Sequence, residues 1–290
     1  MNNVWFRNKN ISQLNLPTKP MDSLSCAQHI GRDSSGVRRP SPPVAHFVTV
    51  CGDRSGSMAS MCGAPPVQIY EQIQDLAKTA KELNVPTYFT LVTFDDTNEV
   101  PIKDLNLLTD KLPTLGFLKT HMAPRGMTKL YDSGIYTLQL LKEQYGAYVA
   151  GFSKKVQRLN PCIKTSYVLL TDGEDNSSAP NGEARHNKVL KDMRRECGTM
   201  AIFLGANIDA VKTGEGLGFN EGATIQMTPT FDGASQCLRA VSHTLRRAST
   251  GSHNQSVEID DSQQQVNYSP PPTPNSSPPQ MPGRVLLRRY

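Results

Sequence analysis

Between residues 44 and 245 the apolar residues switch repeatedly between two spacings, and this alternation restricts the fold more than any other property of the chain. Residues 44–51 (Val-Ala-His-Phe-Val-Thr-Val-Cys) form an unbroken apolar, β-branched run, the pattern of a strand buried on both faces. Ile69, Ile73, Leu76, Ala77, Ala80 and Leu83 then recur at helical spacing until Asn84 and Pro86 stop the helix. Further strands are expected at 87–94, 99–104, 166–171 and 200–204, with a weaker one at 223–226. Helices are expected at 130–144 and 184–196, with a short one from Asp209 and a last one carrying Ala234, Cys237, Leu238, Val241 and Leu245. Only Asp95-Asp-Thr-Asn98 separates the second strand from the third. A turn that short cannot carry a parallel crossover, so these two strands must pair antiparallel. The expectation is an α/β layered fold with a mainly parallel sheet and one antiparallel edge. Residues 146–161, with Lys154, Lys155 and Arg158, read as an insertion of no assigned shape before the fourth strand.

Proline marks the limits of this region. Twelve of the 21 prolines fall in 1–43 and 251–290, which together hold 83 of the 290 residues. The chain therefore divides into a flexible N-terminal arm (1–43), a folded domain (44–250) and a disordered proline-rich C-terminal tail (251–290). No apolar run approaches the length of a membrane span, and the N-terminus lacks the apolar core of a signal peptide. The six cysteines never occur as C-x-x-C, which favours free thiols in a reducing compartment over a zinc site or disulfide framework. A cytoplasmic, intracellular protein is expected. The formal charge of +5 is too small to argue for nucleic acid.

In open α/β sheets, ligands gather where loops leave the carboxyl ends of parallel strands. Three segments sit at such places. Asp53-Arg-Ser55-Gly-Ser57 follows the first strand, Thr128 precedes the helix before the fourth strand, and Thr171-Asp172-Gly173 ends that strand. Any one of them alone is ordinary turn or cap chemistry. Together they supply hydroxyls and two carboxylates, an all-oxygen set suited to a hard divalent cation.

These three segments resemble the metal-binding loops of the von Willebrand factor type A family, over roughly 44–248. The resemblance implies a Rossmann-like, mainly parallel sheet with one antiparallel edge strand, helices on both faces, and a metal-ion-dependent adhesion site (MIDAS). Carried over, Ser55, Ser57 and Thr128 offer hydroxyl oxygens to Mg²⁺ or Mn²⁺, and Asp53 and Asp172 act mostly through bound water. An Asp or Glu carboxylate on a protein partner then completes the coordination. The implied role is a metal-dependent adaptor or assembly module. Gly52 stands where the family usually has an apolar residue and is expected to loosen the first loop. Arg54 either steers acidic ligands or is solvated, and Glu174 and Asp175 add charge near the site or merely belong to a surface turn.

Enzyme signatures are weak. Gly52–Gly56 is not G-x-S-x-G, there is no P-loop, and Gly214-Glu-Gly-Leu-Gly218 lacks the spacing of a dinucleotide loop. His46, in a buried strand, reads as a satisfied core residue. No nucleophile or general base is identified, so the chain is not read as an enzyme. Two alternatives stay open: a metal-dependent phosphate-ester hydrolase using Asp53 and Asp172, and an RNA-associated module using basic faces around Lys154, Arg194 and Arg246. Near the tail, Arg246-Arg-Ala-Ser249 and the proline-directed Ser269, Thr273 and Ser277 are candidate kinase contacts, and the proline run a candidate SH3-like ligand.

Overall fold

The computed structural model describes residues 43–158 and 161–250. The N-terminal arm save Pro43, and the tail with its SH3-like and proline-directed motifs, lie outside the described residues. The apolar runs become six strands: β1 (Ala45–Asp53), β2 (Thr87–Phe94), β3 (Asn98–Asn106), β4 (Ile163–Thr171), β5 (Met200–Ala206) and β6 (Thr224–Met227). They form one sheet in the order β3-β2-β1-β4-β5-β6. β2 and β3 pair antiparallel, and every other neighbouring pair is parallel. Every residue of β1 and β2 is buried. The sheet is covered on both sides, and its strands read as continuous rather than alternating apolar runs for that reason.

Among the described residues seven α-helices accompany these strands: α1 (Ala64–Leu83), α2 (Leu115–His121), α3 (Leu130–Ala150), α4 (Lys154–Arg158), α5 (Gly182–Cys197), α6 (Ala210–Leu217) and α7 (Phe231–Ser249). α1 packs with α2 and α7, while α3, α5 and α6 pack together around the aromatic core of Phe47, Tyr148, Tyr167 and Phe219. Helix ends follow local chemistry. Pro65 and Pro66 open α1, where the missing N–H has no partner to lose. The hydroxyl of Thr230 accepts a bond from the Gly233 amide at the start of α7. No helix among the described residues is long and apolar enough to cross a membrane.

Several boundaries differ from expectation. The supposed insertion at 146–161 is mostly helix: α3 runs on through Gly146, held by Tyr148 in the core, and α4 follows with Val156 buried. Gly52 loosens nothing. It lies inside β1, where an added Cβ would come 3.1 Å from the Met122 side chain. The glycines of 214–218 lie in or just after α6, and a Cβ on Gly214 would meet Thr224 at 2.7 Å, so they serve helix–strand packing. Ser249 is not displayed to a kinase. It is 2% exposed, and its hydroxyl bonds to His46 Nδ1 (2.8 Å) and the Leu245 carbonyl (3.2 Å). His46 is indeed a satisfied core residue, with Nε2 bonded to Ser166 (2.8 Å) and burial lowering its pKa to about 3.

The α3–α5 seam is tight enough to test. A Cβ on Gly134 would fall 2.6 Å from the buried His186 ring and 2.9 Å from the Tyr167 hydroxyl. His186 is fixed by bonds to Tyr167 (3.2 Å) and the Leu217 carbonyl (2.9 Å), so it cannot step aside cheaply. Overpacking should outweigh the helix-propensity gain of alanine, and Gly134→Ala should lose ~1–2 kcal/mol in urea denaturation. A variant more stable than the parent would show slack in the seam.

Candidate metal centre

The strand order places a topological switch point between β1 and β4: α1 leads from β1 to β2 on one side, while the chain after β4 proceeds to β5 and β6 on the other. Asp53 is the last residue of β1, and Thr171 the last of β4. The carboxylates of Asp53 and Asp172 therefore lie at the carboxyl ends of adjacent strands, and both residues are 1% exposed.

Short-range bonds fix the first loop. The Ser55 amide donates to Asp53 Oδ1 (2.6 Å), and Thr171 Oγ1 donates to Asp53 Oδ2 (2.7 Å). A 3₁₀ turn over Gly56–Met61 begins at once, which the sequence did not announce. This turn sets Ser57 Oγ 3.0 Å from Ser55 Oγ and 2.7 Å from Asp172 Oδ1, to which it donates. Ser60 donates to Asp172 Oδ2 at 3.4 Å. Thr128 is clamped through its backbone: its N–H donates to Asn176 Oδ1 (2.9 Å), and its carbonyl accepts from the Asn176 amide (3.0 Å). A Cβ built on Gly173 would lie 3.7 Å from Ser57 Oγ and 3.8 Å from Thr128 Oγ1, so both hydroxyls face the same glycine. The structure thus brings Asp53, Ser55, Ser57, Thr128 and Asp172 to one place. Thr171, Ser60 and Asn176 support them, though none was expected among the ligands. Only Thr171, inside the T-D-G motif, carried a sequence signal.

The flanking charges play other parts. Arg54 neither steers ligands nor is solvated: it is 2% exposed, with Nε 3.0 Å from Asp95 and Nη1 2.7 Å from Glu99. Asp175 is taken up locally, accepting from Tyr131 N (3.3 Å) and Ser178 Oγ (2.5 Å) at the start of α3. Glu174 is exposed.

The electrostatics favour a cation. Burial pushes Asp53 up to about 6 against the hydrogen bonds from Thr171 and Ser55, and the Asp172 charge adds to the rise. Asp172 is raised by burial too, against bonds from Ser57 and Ser60. Two carboxylates held close and out of water resist joint ionisation, and a divalent ion relieves that cost. No group of three or more His, Cys, Asp or Glu side chains among the described residues is placed to hold a metal. The donor set here is instead two carboxylates and three hydroxyls. Such oxygen-only chemistry fits Mg²⁺ or Mn²⁺ better than softer metals.

No protein-family model matches the sequence, and no curated protein is a match to it. Solved structures do match. The vWF domain of the type V pili tip protein Mfa5 from Porphyromonas gingivalis aligns at 9% identity and TM-score 0.51, over 71% of this chain and 96% of its own. The PilB minor pilin from Streptococcus sanguinis aligns at 13% identity and TM-score 0.50, over 73% of this chain and 63% of its own. The chain therefore spans less than two thirds of that pilin. At these identities the likeness concerns the fold. The six-stranded sheet with its one antiparallel pair agrees with it, and this chain has the von Willebrand factor type A fold.

Proposed function

We propose that this domain is a metal-dependent protein-binding module. Asp53, Ser55, Ser57, Thr128 and Asp172 hold one Mg²⁺ or Mn²⁺, and a partner's Asp or Glu carboxylate completes its shell. The observation that carries this reading is the meeting of two buried carboxylates with three hydroxyls at the switch point. The ion would supply a positive centre for an incoming carboxylate, in a setting where hydroxyl donors add oxygens without adding charge. The two aligned structures, from a minor pilin and a pilus tip protein, support an assembly or adhesion role by analogy of fold. Cytoplasmic location is part of the proposal, consistent with free thiols at the five cysteines among the described residues.

Calorimetry decides the metal question. Wild-type protein should bind about one Mn²⁺ per chain with measurable heat, and the Asp53→Ala/Thr128→Ala double variant should bind none. Equal heats for the two proteins would refute the site. A pull-down with the full chain in Mg²⁺ and in chelator then tests the partner: proteins recovered only with metal support a carboxylate bridge, and identical recoveries in both count against it.

A further inference from the structure

Arg54 and Asp95 are buried charged residues, and neither belongs to the proposed ligand set. They link the two hydroxyl-bearing loops, since Asp95 bonds Arg54 through its side chain and Lys129 through its backbone carbonyl. The carboxylate of Asp95 is saturated. Its Oδ2 accepts from Arg54 Nε (3.0 Å) and Arg125 Nε (2.8 Å), and its Oδ1 accepts from the amide and the hydroxyl of Thr97, each at 2.7 Å. The Asp95 backbone carbonyl accepts from Lys129 N at 3.0 Å.

Three of these five bonds reach a residue close in sequence to a proposed ligand, and the two from Thr97 tie Asp95 into its own turn. Arg54 precedes Ser55, Arg125 lies three residues before Thr128, and Lys129 follows it directly. The two loops are also stitched to one another: Arg125 N donates to the Arg54 carbonyl (2.6 Å), and Gly56 N to the Gly126 carbonyl (3.2 Å). Gly126, at φ 69°, passes so close that a Cβ there would meet Asp96 Oδ1 at 2.7 Å and Asp95 Cβ at 3.0 Å. Glu99 closes the ring, bonding Arg54 Nη1 (2.7 Å) and Arg125 Nη2 (2.6 Å).

We propose that Asp95 is the positioning residue of the metal centre, fixing through Arg54, Arg125 and Lys129 the separation between the Ser55/Ser57 loop and Thr128. It rests on the metal-site reading above, and it goes further by assigning a role to a side chain that touches none of the five oxygen donors. The physical ground is geometric. A divalent ion accepts its ligands only within a few tenths of an ångström, so hydroxyls on separate loops need a rigid spacer. A fully bonded carboxylate between two guanidinium groups is such a spacer, since Arg–carboxylate bonds are short and directional.

The test uses the full chain and Mn²⁺ alone. Asp95→Asn keeps the shape and loses the charge; Ser249→Ala, which removes a bond to His46 at the amino end of β1, serves as a control that lowers stability at the end of the strand opposite Asp53. The dissociation constant of Mn²⁺ should rise at least tenfold in Asp95→Asn and stay within twofold of wild type in Ser249→Ala. In chelator, amide deuterium exchange over residues 54–62 and 125–130 should quicken at least tenfold in Asp95→Asn, with 200–206 unchanged. If Asp95→Asn fails to fold, Thr97→Val, which removes only the hydroxyl bond to Asp95, should weaken Mn²⁺ binding about threefold. An Mn²⁺ constant within twofold of wild type in the folded Asp95→Asn protein, or no weakening in Thr97→Val, overturns the proposal. If wild type itself binds no Mn²⁺, the metal reading fails, and the exchange rates alone decide: unchanged rates in both loops reject the spacer role, and faster ones support it.

Discussion

Arg54→Met should destabilise the domain by ~3–5 kcal/mol at pH 7, the range for breaking a buried ion pair by removing one partner. Arg54 heads the largest fully buried side chains of the domain, and its removal leaves the 2%-exposed Asp95 with Arg125 as its one remaining cation. One feature tempers the loss. Arg54 Nη2 is buried without a hydrogen-bond partner, so methionine relieves a desolvation cost that the wild type bears, and the lower end of the range is expected. The effect should depend on pH in a defined direction. Burial opposes the charge on Asp95, but bonds from Arg125 and Thr97 and attraction to Arg54 outweigh it, so its pKa lies well below the usual range. The bond from Arg54, against some desolvation and aided by Arg125, lowers Glu99 to about 2. Carboxylates with depressed folded pKa values add stability that is fully present above the unfolded value near 4 and is lost as pH falls towards the folded values. Without Arg54 both pKa values move back towards 4, and that part of the stability is missing at neutral pH. Urea denaturation should therefore show the gap between wild type and variant narrowing from pH 6 to pH 2.5. A gap below 1 kcal/mol at pH 7, or one that does not narrow in acid, would show that the pair contributes nothing net.

Arg54 also shows where sequence reasoning reaches its limit. The alternation of strand and helix was legible because burial on both faces leaves an unbroken apolar record, as in β1, β2 and β4. The antiparallel edge was legible because the short link between β2 and β3 has no geometric alternative. α2 was missed: in seven residues it buries one large apolar side chain, Leu118, too little to register as a period. The first turn of α1 was hidden by Pro65 and Pro66, which read as breakers although they are tolerated at a helix start. The end of α3 was cut short because Gly146 resembles a stop, whereas the packing of Tyr148 on Phe47 and Phe152 carries the helix past it. At the site, the five residues that the structure brings together were legible because their spacing is a motif. Their supports were not found, because the contacts of Asn176 with Thr128 and of Asp95 with Arg54 join residues 48 and 41 positions apart through side-chain bonds. Nothing in local composition announces them.

The second large effect concerns the site itself. Asp53→Asn should raise stability in chelator at pH 7.5 by ~1–3 kcal/mol while removing the response to metal. Asparagine can satisfy the same neighbours: its carbonyl accepts from Ser55 N, and its amide donates to Thr171 Oγ1, whose own hydroxyl is free to donate to the Gly173 carbonyl 3.1 Å away. What is lost is a buried negative charge beside another, and the ~1.4 kcal/mol per pKa unit that accompanies a carboxylate raised to about 6 sets the scale. The sign follows from proton binding. Between pH 4 and 6 the native state holds more protons than the unfolded chain, so wild-type stability should fall as pH rises through that window, and in Asp53→Asn this fall should be shallower. Metal offsets this advantage. At a hundred times its dissociation constant, bound Mn²⁺ should stabilise wild type by about 2.7 kcal/mol, and Asp53→Asn should gain nothing. Thermal melts of both proteins in chelator and in Mn²⁺ make the comparison. A lower Tm for Asp53→Asn than for wild type in chelator would mean that the charge is well solvated, and an equal Mn²⁺-induced rise in both would remove Asp53 from the coordination sphere. On stability alone asparagine would be the better residue here, and the aspartate accords with the proposed cation.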